Sequence, residues 1–135
     1  MIDINYVFVV DSDPSARQGL VRLLSAAGQK VKNYASITDF LAAIEPGICG
    51  CLVLDAEIPG KSGQELLEEI KTRNADLSII MISAKDDRVT KRRCWEMQAV
   101  GFFRKPVDGT ALIDAVDWAL RAKNNRGNNT NAKSK

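Results

Sequence analysis

The chain has 135 residues, 45% of them hydrophobic and 27% charged, which suits one domain with one core and excludes a disordered polymer. Its net charge of +2 averages two unlike parts: residues 1–120 carry 14 Lys/Arg against 17 Asp/Glu, and residues 121–135 carry five basic residues and no acid. The body is thus mildly acidic, which argues against a folded nucleic-acid surface, and the absence of histidine excludes Ser–His catalysis and His-ligated metal sites.

The opening MIDINYVFVVD has an early acid and no basic stretch, so no signal peptide is expected. Within it, Tyr6-Val7-Phe8-Val9-Val10 is a continuous apolar run, the pattern of a strand covered on both faces. Asp13-Pro14 then predicts a helix start, with Asp13 as the cap and proline at the first helical position. Ala16, Leu20, Leu23, Leu24 and Ala27 recur at helical spacing, and Gly28 marks the stop. A short strand is expected near Lys30–Tyr34, followed by a helix opened by Ser36-Ile37-Thr38-Asp39, with Phe40, Leu41 and Ile44 on its apolar side.

Cys51-Leu52-Val53-Leu54 reads as the third strand and ends in Asp55. Cys49 and Cys51 are expected on opposite faces of that strand, unable to pair, and all three cysteines as reduced thiols of a cytoplasmic protein. The loop Ile58-Pro59-Gly60-Lys61-Ser62-Gly63 leads to a helix carrying Leu66, Leu67 and Ile70. The fourth strand is Leu77–Ile82, a helix follows at about 87–97, and Phe102-Phe103-Arg104 forms a last strand before Lys105-Pro106. The final helix is expected over about 108–123, and NNRGNNTNAKSK at 124–135 reads as a disordered polar, basic tail or linker. No apolar run approaches the roughly 18 residues of a membrane span.

Strand and helix thus alternate five times, which predicts an α/β domain over residues 1–123, with a parallel five-stranded sheet and helices on both faces. Such sheets gather functional groups beyond the carboxyl ends of their strands. Here Asp11 and Ser12 follow strand one, Asp55 ends strand three, Ser83 follows strand four, and Lys105 follows strand five. Alone, an aspartate at a strand end is more often a helix cap and a lysine before proline a solvated loop residue. Together they make a chemistry: carboxylates without histidine suit Mg²⁺, a hard cation that prefers oxygen ligands. A lysine and a hydroxyl can hold phosphoryl oxygens while a carboxylate acts as nucleophile and becomes an acyl phosphate.

Val9-Val10-Asp11, Asp55 with Pro59 and Gly63 after it, Ser83-Ala84 and Lys105-Pro106 resemble the receiver domains of two-component response regulators, in order and across residues 4–122. Glu65-Leu66-Leu67 after Ser62-Gly63 gives the match a FixJ-type flavour. The resemblance implies a flavodoxin-like, doubly wound (βα)5 fold with strand order 2-1-3-4-5. It implies a phosphoacceptor rather than an enzyme, with at most slow autodephosphorylation. Asp55 would be the acceptor, Ser83 and Lys105 the phosphoryl-binding residues, and Phe102 the switch aromatic. Asp11, Asp55 and the backbone carbonyl of Glu57 would bind Mg²⁺. A sensor histidine kinase would be the donor, and a protein target or a second copy the recipient. Lys91, Trp95, Phe102, Ala115 and Trp118 would lie on the surface formed by the fourth helix, fifth strand and fifth helix; the competing reading has each tryptophan covering core beside its own helix. Contact with nucleic acid by this domain, or with membrane, is not expected. The tail resembles the start of a linker to a DNA-binding domain, and equally the end of a stand-alone receiver.

The chain departs from the family at Ser12, where receivers carry a second acid that binds the metal, so weaker Mg²⁺ binding is expected. Asp13 is better placed as a helix cap than as a substitute. The Glu57 side chain either restores the missing carboxylate or repels an incoming phosphoryl group; the sequence leaves both open. A phosphorylation-independent interaction module with the same fold is the second reading. A flavodoxin-like cofactor binder is disfavoured because Asp11–Pro14 has no glycine- or Ser/Thr-rich phosphate cradle.

Overall fold

The computed structural model describes residues 5–133, with side chains described as far as Lys123. Strands and helices alternate as β1 Tyr6–Val10, α1 Pro14–Ala26, β2 Val31–Tyr34, α2 Ile37–Ala43, β3 Cys49–Asp55, α3 Gly63–Thr72, β4 Asp76–Ser83, α4 Arg88–Glu96, β5 Gly101–Arg104 and α5 Gly109–Lys133. The strands pair in parallel in the order β2-β1-β3-β4-β5. This is the flavodoxin-like order that the resemblance implied.

The two-sided burial follows from the period of a strand, in which neighbouring side chains point to opposite faces. Phe8, Val10, Leu52, Leu54 and Met81 pack on one face with Phe40 of α2 and Leu66 of α3. Val7, Val9, Val53, Ile80 and Ile82 pack on the other with Leu20 and Leu24 of α1 and Leu112, Val116 and Ala119 of α5. Each such side chain taken from water contributes about 1.5–3 kcal/mol, so apolar runs in β1, β3 and β4 force helices onto both faces. Gly50 sits where β3 runs closest to β1; a Cβ there would strike the Tyr6 carbonyl.

Local signals set the helix ends. Asp13 is extended and accepts the Ser15 N–H at 3.0 Å, with Pro14 first in α1. Gly28 takes φ +91° just past the helix, a conformation open to glycine at little cost. Ser36 accepts the Asp39 N–H to start α2. Ser62 and Glu65 exchange bonds between side chain and backbone, 3.2 and 3.1 Å, to start α3.

Three expectations are corrected. Cys49 and Cys51 share a face of β3, because residues two apart on a strand point the same way; neither they nor Cys94 form a disulfide, and burial pushes Cys51 up to about 12. Strands β3 and β4 each start earlier than their apolar runs, at Cys49 and Asp76, because ladder bonds extend past the buried stretch. The backbone of α5 continues to Lys133, through most of the segment read as a disordered tail. A helix already held by packed turns adds residues without a new nucleation cost, and no proline interrupts 124–133. Residues 134 and 135 lie outside the described chain.

Candidate functional site

Of the five polar positions singled out at the strand ends, Asp11, Asp55, Ser83 and Lys105 meet at the carboxyl edge of the sheet. Asp11, just past β1, is fully buried. Its Oδ1 accepts the Asp13 N–H at 2.9 Å, and its Oδ2 lies 3.1 Å from Lys105 Nζ. Asp55, the last residue of β3, is 6% exposed; its Oδ1 accepts the Glu57 N–H at 3.0 Å and its Oδ2 is 3.6 Å from the same ammonium. Lys105 is fixed from behind by its backbone N–H, which donates to the Ser83 carbonyl at 2.9 Å. Ser83 closes β4, one residue after Ile82, the register partner of Asp55.

One lysine therefore serves two carboxylates. Burial pushes the Asp55 carboxyl up; the Glu57 backbone N–H and Lys105 oppose this, and the charges of Asp11 and Glu57 add to it, so the net shift is upward. Burial pulls Lys105 down, but its bond to Asp11 and the charges of Asp55, Asp11 and Glu57 outweigh that and raise it. The ammonium stays protonated and supplies a positive charge beside a carboxylate whose burial disfavours its charged form.

Glu57 answers the question left by the sequence in an unexpected way. Its side chain does not join Asp11 and Asp55. Its Oε1 accepts the Ser83 hydroxyl at 2.6 Å and the Ala84 N–H at 2.7 Å. These bonds, the Ser83 hydroxyl first, hold its carboxyl below the usual range. Among the described residues no cluster of three or more carboxylate, cysteine or histidine side chains is gathered as for a metal ion, and the Glu57 carboxylate is engaged by β4 instead. Asp11 and Asp55 remain as donors. Two carboxylates with room for retained waters fit Mg²⁺ in kind. Ser12 is exposed, and Asp13 is committed to capping α1.

Two positioning residues were not anticipated. Arg93, in the last turn of α4, donates from Nη1 to the Ala56 and Ile58 carbonyls at 3.0 and 3.1 Å and from Nη2 to the Lys61 carbonyl at 3.0 Å. It ties the loop after Asp55 to α4. Arg17 donates to the Asp11 carbonyl at 2.7 Å and to Asn33 at 3.2 Å. Neither stands out in the sequence, where Arg93 ends the basic run Lys91-Arg92-Arg93 and Arg17 is an ordinary helix-surface residue.

This geometry has relatives. A family model described as the response regulator receiver domain matches residues 7–117. The chain belongs to the response regulator receiver family. The receiver is 34% identical over 128 residues to the transcriptional regulatory protein FixJ of Azorhizobium caulinodans, covering 95% of this chain and 61% of FixJ. It is 36% identical over 110 residues to nodulation protein W of Bradyrhizobium diazoefficiens, covering 82% of this chain and 48% of that protein. Among solved structures, the response regulator StyR superposes with a TM-score of 0.81 at 35% identity, over 97% of this chain and 66% of StyR. The receiver thus spans about half to three-fifths of the length of these curated relatives. Receivers of this family generally take phosphate from histidine kinases and bind Mg²⁺ at the phosphorylation site.

The residues expected at an output surface differ in exposure. Trp95 is 79% and Trp118 62% exposed, so neither covers core. Trp95 borders the groove between α3 and α4, beside Leu67, Lys71 and Ala99. Phe102 and Ala115 are half-buried, packed against the first and second core layers respectively. Lys91 is exposed and 3.5 Å from Asp86. No described helix is long and apolar enough to cross a membrane.

Proposed function

We propose that Asp55 accepts a phosphoryl group from a sensor histidine kinase and that the change is read by a protein target, or by a second copy, at the α4–β5–α5 surface. The observation that carries this reading is the Lys105 ammonium within 3.6 Å of Asp55 and 3.1 Å of Asp11, with the Ser83 hydroxyl on the neighbouring strand. An oxygen of Asp55 attacks phosphorus, the P–N bond to the kinase histidine breaks, and the leaving imidazole takes up a proton. Lys105 then faces one phosphoryl oxygen, and the Ser83 hydroxyl donates to another. Asp11, Asp55 and the Glu57 carbonyl would hold Mg²⁺, which when bound neutralises charge on the phosphoryl oxygens. Binding weaker than usual is expected, because Ser12 supplies no carboxylate.

Phosphorylation draws Ser83 inward, Phe102 follows, and the surface that includes Lys91, Trp95, Ala115 and Trp118 changes population. Two exposed tryptophans suit an anchor patch, because tryptophan is enriched at binding hot spots. Similarity to the transcriptional regulatory protein FixJ supports a role in transcriptional regulation. The second reading, a phosphorylation-independent interaction module, draws on Ser12 and on the engagement of both Asp11 oxygens within the chain. Intact-mass spectrometry after incubation with acetyl phosphate and Mg²⁺ separates the two. The acceptor reading expects a labile phosphoryl adduct on the native chain and none on Asp55→Asn; an adduct on both would place the chemistry elsewhere.

A further inference from the structure

The Ser83 hydroxyl has one proton, and the structure shows where it goes. It is donated to Glu57 Oε1 at 2.6 Å, while the hydroxyl oxygen accepts the Lys85 N–H at 2.9 Å. The Ala84 N–H converges on the same Glu57 oxygen at 2.7 Å. An O–H and an N–H aimed at one point form a seat for a single anionic oxygen. Its position is set by β4, whose Ile82 lies beside Asp55 in the ladder, and by the Ala56 N–H, which donates to the Ile82 carbonyl at 2.7 Å. Glu57 reaches the seat because it follows Asp55 by two residues, on a loop that Arg93 holds through three carbonyls. The carboxylate is exposed to solvent, and it is held there by these two bonds with the charges of Lys85 and Lys105 in support.

We propose that Glu57 is a resident anion in the phosphoryl-oxygen seat, and that it must swing out before a phosphoryl group on Asp55 can be bound by Ser83 and Ala84. This rests on Asp55 being the acceptor. The seat cannot serve both at once, because the Ser83 proton cannot be donated in two directions and two anions would repel across the seat. Glu57 is therefore a positioning residue with a specific consequence: it slows capture of phosphodonors and sets how tightly a phosphoryl mimic is held.

The test compares the native chain with Glu57→Ala and Glu57→Gln. Two quantities are read: the affinity for beryllofluoride at fixed Mg²⁺, and the rate of adduct formation with acetyl phosphate by intact mass. A third is the Ala84 amide proton shift in the metal-free protein, which a general structural role would not select. The expected result is a gain of about tenfold in affinity and rate for Glu57→Ala, the size of one hydrogen-bonded charge removed from competition. A smaller gain is expected for Glu57→Gln, which keeps an acceptor and loses the charge. The Ala84 amide should move upfield in Glu57→Ala and stay nearer its native position in Glu57→Gln. Equal rates and affinities in all three proteins overturn the role of Glu57 and leave the acceptor reading standing. A fall in rate with weaker Mg²⁺ binding in Glu57→Ala overturns it in favour of a metal-binding side chain. No adduct and no beryllofluoride binding in any of the three overturns both readings together.

Discussion

Lys123 and Lys105 stand at opposite ends of the same sheet, and both are ion-paired, but the pairs are built differently. At the amino end, Lys123 of α5 has a side chain 2% exposed and meets Asp76, the first residue of β4, at 2.8 Å. At the carboxyl end, Lys105 meets Asp11 at 3.1 Å and Asp55 at 3.6 Å, with the Glu57 carboxylate nearby on Ser83. The first end sets one buried charge against the Asp76 carboxylate and fastens α5 to the sheet. The second gathers three carboxylates, Asp11, Asp55 and Glu57, around the Lys105 charge; burial first, and then the charges of Asp11 and Glu57, hold Asp55 above its ordinary value, and Glu57 occupies the Ser83 hydroxyl and the Ala84 N–H. Matched stoichiometry serves stability. Surplus charge gathered on strand ends serves chemistry at the expense of stability.

The sharpest way to break that contrast is to remove a partner at the structural end. Asp76→Ala leaves the Lys123 ammonium buried without its 2.8 Å carboxylate. A buried pair broken from one side costs about 3–5 kcal/mol, and because the Asp76 side is 63% exposed the expected loss is nearer 2–3 kcal/mol. Urea denaturation at neutral pH measures it. A loss below about 1 kcal/mol would show that Lys123 finds water or another acceptor, and that the amino end is no better matched than the site.

Arg93 gives a smaller effect and connects the two halves of the contrast, since it stabilises the loop that carries the chemistry. Its three carbonyl contacts span 3.0–3.1 Å, and its Nε is buried without a partner. Arg93→Ala is expected to cost about 1.5–2 kcal/mol. Hydrogen exchange should rise over residues 56–62 before it rises in the strands. Arg93→Lys should not rescue, because one ammonium cannot bridge Ala56, Ile58 and Lys61 as the guanidinium fork does. Full rescue by lysine would mean that the charge alone holds the loop.

The sequence made the functional edge far more legible than the contacts within it. Continuous apolar runs in β1, β3 and β4 carry the fold class, and the residues that follow them had to fall on one edge of a parallel sheet, which is why the sequence alone groups Asp11, Asp55, Ser83 and Lys105. The stop and cap residues Gly28, Ser36 and Asp13 were legible for the same local reason. What escaped depends on how far a long side chain reaches once helices are docked. Arg93 looks like Arg92 in the sequence, and only the rotation of α4 points one inward and leaves the other 80% exposed. Lys123 looked like the last residue before a solvated tail, although α5 carries it under the sheet edge. The direction of the Glu57 side chain turned on two donors from β4, a strand distant in sequence.

The smallest expected effect has the opposite sign to the first, and that reversal is what makes it informative. Asp55→Asn keeps an oxygen to accept the Glu57 N–H and removes the charge that Asp11 and Glu57 repel. It also loses the attraction to Lys105 at 3.6 Å, so the net outcome reports which influence dominates. Because the folded-state value of Asp55 is raised above its ordinary 3.8, the folded chain holds this proton more tightly than the unfolded chain does. Ionised Asp55 therefore subtracts from stability in full above the raised value. The penalty is relieved as pH falls through that value and is gone below the ordinary one. Asp55→Asn should accordingly be more stable than the native chain at neutral pH, with a higher Tm, and the gain should shrink in acid. Thermal unfolding of both proteins between neutral pH and pH 4 measures this. A variant less stable than the native chain at neutral pH would show that Lys105 balances both carboxylates, and the distinction between a matched end and a surplus end of the sheet would not hold.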